Sequence, residues 1–283
     1  MRRTALALAA VMLAGCGGSP AASSSESSSS SSEPAAEVPA VPGIEAEIVR
    51  LRTDEALGGQ VQVRVSDTGD TPFTVTSVTL RSPGFVPEPP TATTAGFAPG
   101  RVIDLPVPYG GVVCDAAPVP AVAELTVGRP DGTVEQVDVP AAGEVLELIH
   151  SQECAVLAVA AVVDIGVTDL HEEGDTLAGM LTLTRRKGDD PVTASRVERS
   201  VLIQVDAELP LELDGDEETA STAVAFVPAN CEPHVLSETK KPFVFPLSVT
   251  VGDGDEVPVN LPLDQAARDQ LTALVQRVCV PPA

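Results

Sequence analysis

Residues 121–140 read AVAELTVGRPDGTVEQVDVP, and residues 243–262 read FVFPLSVTVGDGDEVPVNLP. In both stretches apolar and polar residues alternate on either side of an Asp-Gly pair, and Leu125 returns as Leu247 at a gapless shift of 122 positions. Alternation with a period of two predicts β-strands that bury one face, and Asp-Gly favours a tight hairpin turn. The two stretches therefore predict a mainly β fold built from two related halves.

The repeat extends beyond these hairpins in both directions. Upstream, GDTPFT at 69–74 matches GDDPVT at 188–193. The downstream matches are Leu146, Ile149 and Cys154 with Leu271, Leu274 and Cys279. Because these matches keep the same order along both halves, they indicate an internal duplication. We predict two homologous domains, at 43–157 and 158–283.

Each half has alternating runs for roughly six or seven strands, which suits an immunoglobulin-like β-sandwich. A helix is expected after the last strand of each half, over 144–153 in the first and after an Asp264 N-cap in the second. The run from Ala160 to Val167 is interpreted as a strand. The predicted fold class is thus mainly β, with two tandem immunoglobulin-like β-sandwich domains that each carry one C-terminal helix and one disulfide. A small barrel is the alternative, since the chain has no Trp to mark an antibody domain.

Cysteine placement predicts the disulfides. The cysteines after Cys16 are Cys114, Cys154, Cys231 and Cys279. An even number in an exported chain is typical of disulfides, and the duplication pairs Cys114 with Cys154 and Cys231 with Cys279, the second of each pair ending a helix. Each bridge would stabilise its half by about 4 kcal/mol. A metal site or a reactive thiol is the alternative, but the sequence has no CxxC pair and we expect no histidine beside these cysteines.

The first 16 residues, MRRTALALAAVMLAGC, have the layout of an export signal. Their apolar run from Ala5 to Ala14 is too short to span a bilayer, which takes about 20 residues. Leu13-Ala14-Gly15-Cys16 resembles the lipobox of bacterial lipoproteins. The resemblance implies a signal peptide at 1–15 and lipid on Cys16, which would anchor the protein to a membrane without spanning it. An ordinary secretory signal and a twin-arginine route are the alternatives.

A low-complexity stretch follows the expected lipid anchor. Residues 19–42 consist mostly of Ser, Pro, Ala and Glu, with almost no large apolar side chain. Such a composition cannot bury enough surface to offset chain entropy. We therefore predict that 16–42 comprises the lipidated cysteine and a disordered linker, which would hold the folded part roughly 25–30 Å from the lipid. The expected location is the extracytoplasmic face of the cell membrane.

The charge balance is strongly acidic. Loss of Arg2 and Arg3 with the signal would leave 15 basic and 41 acidic residues, a net charge of −26. Nucleic acid is excluded as an expected partner, because phosphate binding depends on clustered Lys and Arg. A solvated surface that resists aggregation is enough to explain the charge.

Groups suited to catalysis are sparse. The histidines are His150, His171 and His234, and none of them recurs at an equivalent place in the other half. Motifs for a zinc protease, a nucleophile elbow or a phosphate loop are absent from the sequence. We expect no enzymatic activity, no metal site and no cofactor. The predicted function is a non-enzymatic binding or spacing module at the cell envelope, with an unknown ligand or envelope protein partner; an envelope hydrolase or thiol-exchange enzyme and a purely structural stalk are the alternatives.

One segment differs between the two halves. Residues 82–100 carry Phe85, a Pro-rich stretch and Phe97, whereas the corresponding region near 208–221 is acidic and has no aromatic residue. Binding residues tend to lie on loops held by a scaffold, and aromatic side chains dominate interface energetics. We therefore predict Phe85 and Phe97 as candidate binding residues on an exposed loop. The alternative is that both rings cover the end of the first core.

Overall fold

Alternating sequences produce most of the secondary structure of this chain, which a computed structural model describes over residues 38–280. The helices there are α1 (Arg52–Leu57), α2 (Glu144–Val162), α3 (Pro233–Glu238) and α4 (Gln265–Cys279). The strands of the first half are β1 (Ile44–Val49), β2 (Gln60–Asp67), β3 (Phe73–Arg81), β4 (Thr91–Phe97), β5 (Val102–Pro108), β6 (Ala121–Gly128) and β7 (Val134–Ala142). Those of the second are β8 (Val163–Glu173), β9 (Thr176–Arg185), β10 (Val192–Val197), β11 (Ile203–Ala207), β12 (Leu211–Leu213), β13 (Thr219–Pro228), β14 (Pro246–Val251) and β15 (Val257–Asn260).

The first half forms one sheet of seven strands in the order β4-β3-β6-β7-β1-β2-β5. Its neighbouring strands are antiparallel except β1 and β7, which run parallel with Ala46 opposite Ala141. The inward faces of the strands surround a core of mostly aliphatic side chains, closed by Leu146 and Ile149 of α2. The largest fully buried side chains of this core include Ile44, Ile48 and Leu125.

The second half forms two sheets of four strands, β12-β10-β14-β15 and β11-β13-β9-β8. Between them lies a second core, to which α2 contributes Val159 and α4 contributes Leu271 and Leu274. Asp264 accepts a hydrogen bond from the Ala267 backbone at 2.7 Å, so the predicted N-cap of α4 is present. The molecule is therefore mainly β with sandwich-like sheets, as the alternation predicts.

The repeated hairpins pair in the same register in both halves. Leu125 of β6 lies opposite Val137 of β7, and Leu247 of β14 lies opposite Val259 of β15. The central strands also share an irregularity. The pairing of β3 with β6 shifts register between Val75 and Ser77, and that of β10 with β14 shifts between Ala194 and Arg196. At the bulges the Thr76 hydroxyl donates to the Thr126 carbonyl, and the Ser195 hydroxyl lies 3.5 Å from the Ser248 carbonyl.

Helix α2 corrects the expected start of the strand that follows it and the expected position of Cys154 at its end. It extends nine residues beyond the predicted end at Glu153 and leads directly into β8, so residues 160–162 are helical and not part of a strand. The predicted domain boundary at 157/158 falls inside the helix. Cys154 lies within α2, whereas Cys279 ends α4 as predicted. A short apolar run without clear periodicity is compatible with helix or strand, and here the alanines and the burial of Val159 favour helix.

By length and composition α2 is also able to cross a membrane, with a mean hydropathy of 1.5. Only 17% of this apolar window is buried. Here the buried Leu146, Ile149 and Val159 contact the two cores, and the helix lies against β1, β8, β14 and β15. Its position is that of a connector between the two halves.

Candidate functional site

The two phenylalanines predicted to bind a partner are buried. Phe97 is 2% exposed and stacks on Phe73, with ring centroids 4.7 Å apart. Phe85 is 5% exposed and packs edge-on against Tyr109 at 5.3 Å. The prediction of an exposed aromatic loop was therefore wrong, because residues 91–97 form β4 and turn Phe97 into the core. Both rings belong to the first core.

The disulfides join the pairs that the repeat predicts, Cys114 with Cys154 and Cys231 with Cys279. A histidine does lie beside the first bridge, contrary to expectation. His150 Nε2 is 3.8 Å from Cys154 Sγ and 3.1 Å from the Val113 carbonyl oxygen. The four-residue spacing of His150 and Cys154 on a helix was the signal that sequence reasoning missed. Cys16, the predicted lipid site, lies outside the described residues.

The acidic stretches at 214–218 and 253–256 form no metal site in the described part of the chain. Over residues 38–280 no group of three or more His, Cys, Asp or Glu side chains is placed to hold an ion. Glu256 instead accepts a hydrogen bond from the Ser195 hydroxyl, which lowers the pKa of that carboxyl. In the turn at 214–218, the Asp214 and Glu217 carbonyl oxygens accept hydrogen bonds from the Arg185 side chain.

The strongest candidate site is a cleft of about 650 Å³ where the two halves meet, here called the junction cleft. One wall is formed by the end of β1 and by α1, and a second by the middle of α2. The third is formed by β14, β15 and the loop that precedes β14. The charged residues of its lining are Arg50, Glu55, Glu153, Lys241, Asp255 and Glu256. The uncharged polar ones are Tyr109, Ser151, Gln152 and Asn260. This volume lies in the range of small-molecule sites.

Tyr109 lies in the wall of the junction cleft, directly after β5. Its hydroxyl donates a hydrogen bond to Glu153 Oε1 at 2.9 Å, and the residue is 8% exposed. Burial, followed by the hydrogen bond and the negative charge of Glu153, raises the pKa of the Tyr109 phenol above its usual value. The hydroxyl is thus held protonated and fixed in position.

A buried carboxylate holds the α1 wall in place. Asp54 is 1% exposed. Its Oδ2 accepts a hydrogen bond from the Leu51 backbone at 2.9 Å, and its Oδ1 accepts from the side-chain amides of Gln60 and Gln62 at 2.8 and 2.7 Å. Because these donors belong to the start of α1 and to β2, the network fixes the segment that follows Arg50.

Across the rim of the junction cleft, Lys241 Nζ lies 3.8 Å from Glu55 Oε1. This ion pair links α1 of the first half to the loop before β14 of the second. Both side chains are well exposed, so the pair adds little stability. Its position marks where the two walls approach each other.

Arg50 differs from the other charged residues of the lining. Its Nε atom is buried and has no hydrogen-bond partner within residues 38–280. None of the salt bridges between described residues involves Arg50. A half-buried guanidinium without a partner can receive an acceptor from a ligand. Sequence patterns could not reveal this site, because its residues come from five separate segments of the chain.

Comparisons with known proteins give structural likeness only. No protein-family model matches the sequence, and no curated protein matches it. Similar solved structures include a red sea bream transglutaminase, at 10% identity and a TM-score of 0.24 over 80% of this chain and 32% of that one. The YadV chaperone is 12% identical, with a TM-score of 0.22 over 78% of this chain and 100% of that one. A protein of unknown function from Porphyromonas gingivalis W83 is 15% identical, with a TM-score of 0.21 over 78% of this chain and 100% of that one. At these TM-scores the likeness carries no information about function.

Proposed function

We propose that this chain is an extracytoplasmic lipoprotein that binds a small ligand in the junction cleft. The observation that carries this proposal is the cleft itself, which is large enough for a ligand and is lined by charged and polar groups from both halves. The buried Arg50 Nε atom has no hydrogen-bond partner among residues 38–280, so it is free to donate to a ligand in the cleft. Binding is thus better supported than a purely structural stalk.

The lipid anchor is part of the same proposal. Its support is the sequence Leu13-Ala14-Gly15-Cys16 after a short apolar run, together with the Ser-rich stretch that follows. Lipid on Cys16 and a spacer over 16–42 would place the binding domains at the cell envelope. Detergent partitioning of the native protein, lost in Cys16→Ser, tests the anchor; finding no added mass on Cys16 would contradict it.

We further propose that the two halves are immunoglobulin-like domains from one duplication. The shared hairpin register supports this, as do the bulges at Thr76 and Ser195. In both halves a central trio of strands recurs, β3-β6-β7 in the first and β10-β14-β15 in the second. A second trio, β1-β2-β5 and β8-β9-β13, recurs as well. Duplicated scaffolds whose ends meet at a shared cleft provide a binding site that neither half has alone.

A non-enzymatic role is proposed for the junction cleft. Its lining, within the described residues, includes no histidine or cysteine. The Ser151 hydroxyl donates to the Leu148 carbonyl at 2.9 Å and has no basic side chain as hydrogen-bond partner in that part of the chain. Ser151 therefore lacks the base that a serine nucleophile needs within hydrogen-bond reach. Binding of a ligand requires only donors, acceptors and charges that are complementary to it.

The test compares two tryptophan variants of the full chain in detergent. Ser151→Trp places a bulky ring in the junction cleft, whereas Ala158→Trp places the same ring on an exposed part of α2 outside it. Each protein is incubated with envelope extract, and native mass spectrometry identifies the small molecules that it retains. We expect wild type and Ala158→Trp to retain a small molecule that Ser151→Trp loses. No retained small molecule, or equal retention by all three proteins, would favour a spacer.

A further inference from the structure

The charged groups in the junction cleft are not equally satisfied. Glu153 accepts the Tyr109 hydroxyl, Glu256 accepts the Ser195 hydroxyl, and Lys241 pairs with Glu55. The cleft therefore already supplies partners for most of its own charges. A ligand that only displaced these contacts would gain little from them.

Arg50 is the exception on the cationic side. Its segment, between β1 and α1, is held by the Asp54 network, so the guanidinium is carried on a fixed backbone. Burial of the Nε donor without a partner costs free energy. In a chain with 41 acidic residues, none of the described carboxylates forms a salt bridge with Arg50. An incoming acceptor would remove this cost.

We infer that the junction cleft binds a small ligand through a single carboxylate group, whose oxygens accept hydrogen bonds from the Arg50 guanidinium. This inference rests on the proposed binding function and names its ligand class. The guanidinium fork matches the two oxygens of a carboxylate and forms charge-assisted hydrogen bonds with them. Gly58 and Gly59 also line the cleft and leave room for a ligand to approach the backbone there.

Charge decides between a carboxylate and a more highly charged anion. The lining has four acidic residues and two basic ones, Arg50 and Lys241. A phosphate dianion or a polyanion would meet more repulsion from these carboxylates than a singly charged ligand would. A neutral ligand could accept a hydrogen bond from Arg50 but would not form the two charge-assisted hydrogen bonds that a carboxylate forms with a guanidinium. A monocarboxylate meets less repulsion than a multiply charged anion and still supplies a charged acceptor for Arg50. It can belong to an amino acid, a peptide C-terminus or a sugar acid.

Four probes separate these chemistries on the full chain in detergent. Alanyl-alanine carries the carboxylate, and alanyl-alanine amide has the same shape without it. Glucuronate presents a carboxylate on a sugar, and inorganic phosphate is the multiply charged anion. Tyr109 is the one tyrosine of a chain without tryptophan, so intrinsic fluorescence reports on the cleft wall. Calorimetry measures the same binding independently.

Arg50→Gln removes the charge, and Arg50→Lys keeps the charge but loses the fork. Arg52→Gln is the matched control, two residues away, exposed and outside the cleft lining. We expect alanyl-alanine or glucuronate to bind wild type at least about ten-fold more tightly than the amide and phosphate do, and Arg50→Gln to weaken that binding by at least about ten-fold. The affinity of Arg50→Lys should lie between those of wild type and Arg50→Gln, and the affinity of Arg52→Gln should match that of wild type.

Different failures have different meanings. Equal binding of alanyl-alanine and its amide, or tighter binding of phosphate, overturns the carboxylate inference and leaves the binding function standing. The carboxylate inference is also overturned, and the binding function stands, if no probe binds while the Ser151→Trp comparison reveals a retained small molecule. If no probe binds and nothing is retained, both proposals fail. Should Arg50→Gln not fold, as judged by circular dichroism, Arg50→Lys tests the role of Arg50 and the comparison of dipeptide with amide on wild type tests the carboxylate.

Discussion

The Tyr109 hydroxyl donates a hydrogen bond to Glu153 Oε1 across 2.9 Å, although the two residues lie 44 positions apart in the chain. This contact joins the end of β5 to the middle of α2. Glu153 directly precedes Cys154, whose disulfide with Cys114 ties the same helix to the loop after Tyr109. One side of the junction cleft is therefore fixed by a hydrogen bond and a covalent bridge at adjacent residues.

The pKa of Tyr109 should lie above the usual value for tyrosine, because burial and Glu153 both favour the protonated phenol. Glu153→Gln should lower that pKa, since it removes the negative charge and keeps a side-chain oxygen. Ultraviolet absorbance of tyrosinate measures it directly, as the chain has one tyrosine. Glu147→Gln, on an exposed site of α2, is the control. An ordinary pKa that neither variant changes would contradict this assignment.

The raised pKa of Tyr109 has a consequence for stability at high pH. Its contribution is fully present below the unfolded-state pKa near 10 and is lost as pH rises through the folded-state pKa. Tyr109→Phe should be less stable than wild type by about 1 kcal/mol near neutral pH, and the difference should shrink in alkaline solution. Urea unfolding of both proteins at several pH values measures this. A difference that stays constant to high pH would show that ionisation of Tyr109 is not linked to folding.

Phe97→Ala and Phe85→Ala should each destabilise the protein by about 3–5 kcal/mol, because both rings are buried in the first core. The loss of the stacked Phe73 contact adds to the cost for Phe97. Urea denaturation gives the free energy of unfolding. Val86→Ala is the control, since Val86 is 50% exposed beside Phe85 and should change stability little. Stability close to wild type in either phenylalanine variant would contradict the assignment of that ring to the core.

Asp54→Ala should cost about 1–3 kcal/mol or more, because three buried or half-buried donors lose their common acceptor. The neighbouring Glu55→Ala should cost about 1 kcal/mol or less, since its ion pair with Lys241 is exposed. Thermal unfolding of both variants compares them. Equal effects at the two positions would mean that the Asp54 network does not hold α1.

The fragments 43–157 and 158–283 should each fold, since the first core lies within 44–149 and the second within 159–274. Each fragment also keeps its own disulfide. Circular dichroism and thermal unfolding of the two pieces test this. Fragments that remain unfolded alone would show that the continuous helix α2 makes the two halves one cooperative unit.

Local pattern alone determined the strands and their pairing within the repeated hairpins. The alternation around Leu125 and Leu247 is visible over a few residues, and each faces the expected partner, Val137 or Val259. The Asp264 cap is equally local, since its partner Ala267 is three residues away. Cysteine pairing followed from the equivalence of the two halves. In each case the information lies in neighbouring residues or in a direct repeat.

Tertiary structure decided what local pattern leaves open. The weakly alternating β4 becomes a strand because it pairs with β3, and this pairing carries Phe97 into the core. The apolar end of α2 is helical because Val159 packs into the second core. The junction cleft depends most on tertiary structure, since five separate segments of the chain supply its lining. Periodicity specifies which face of an element is buried, but only the folded chain specifies which faces meet and which charges remain unpaired.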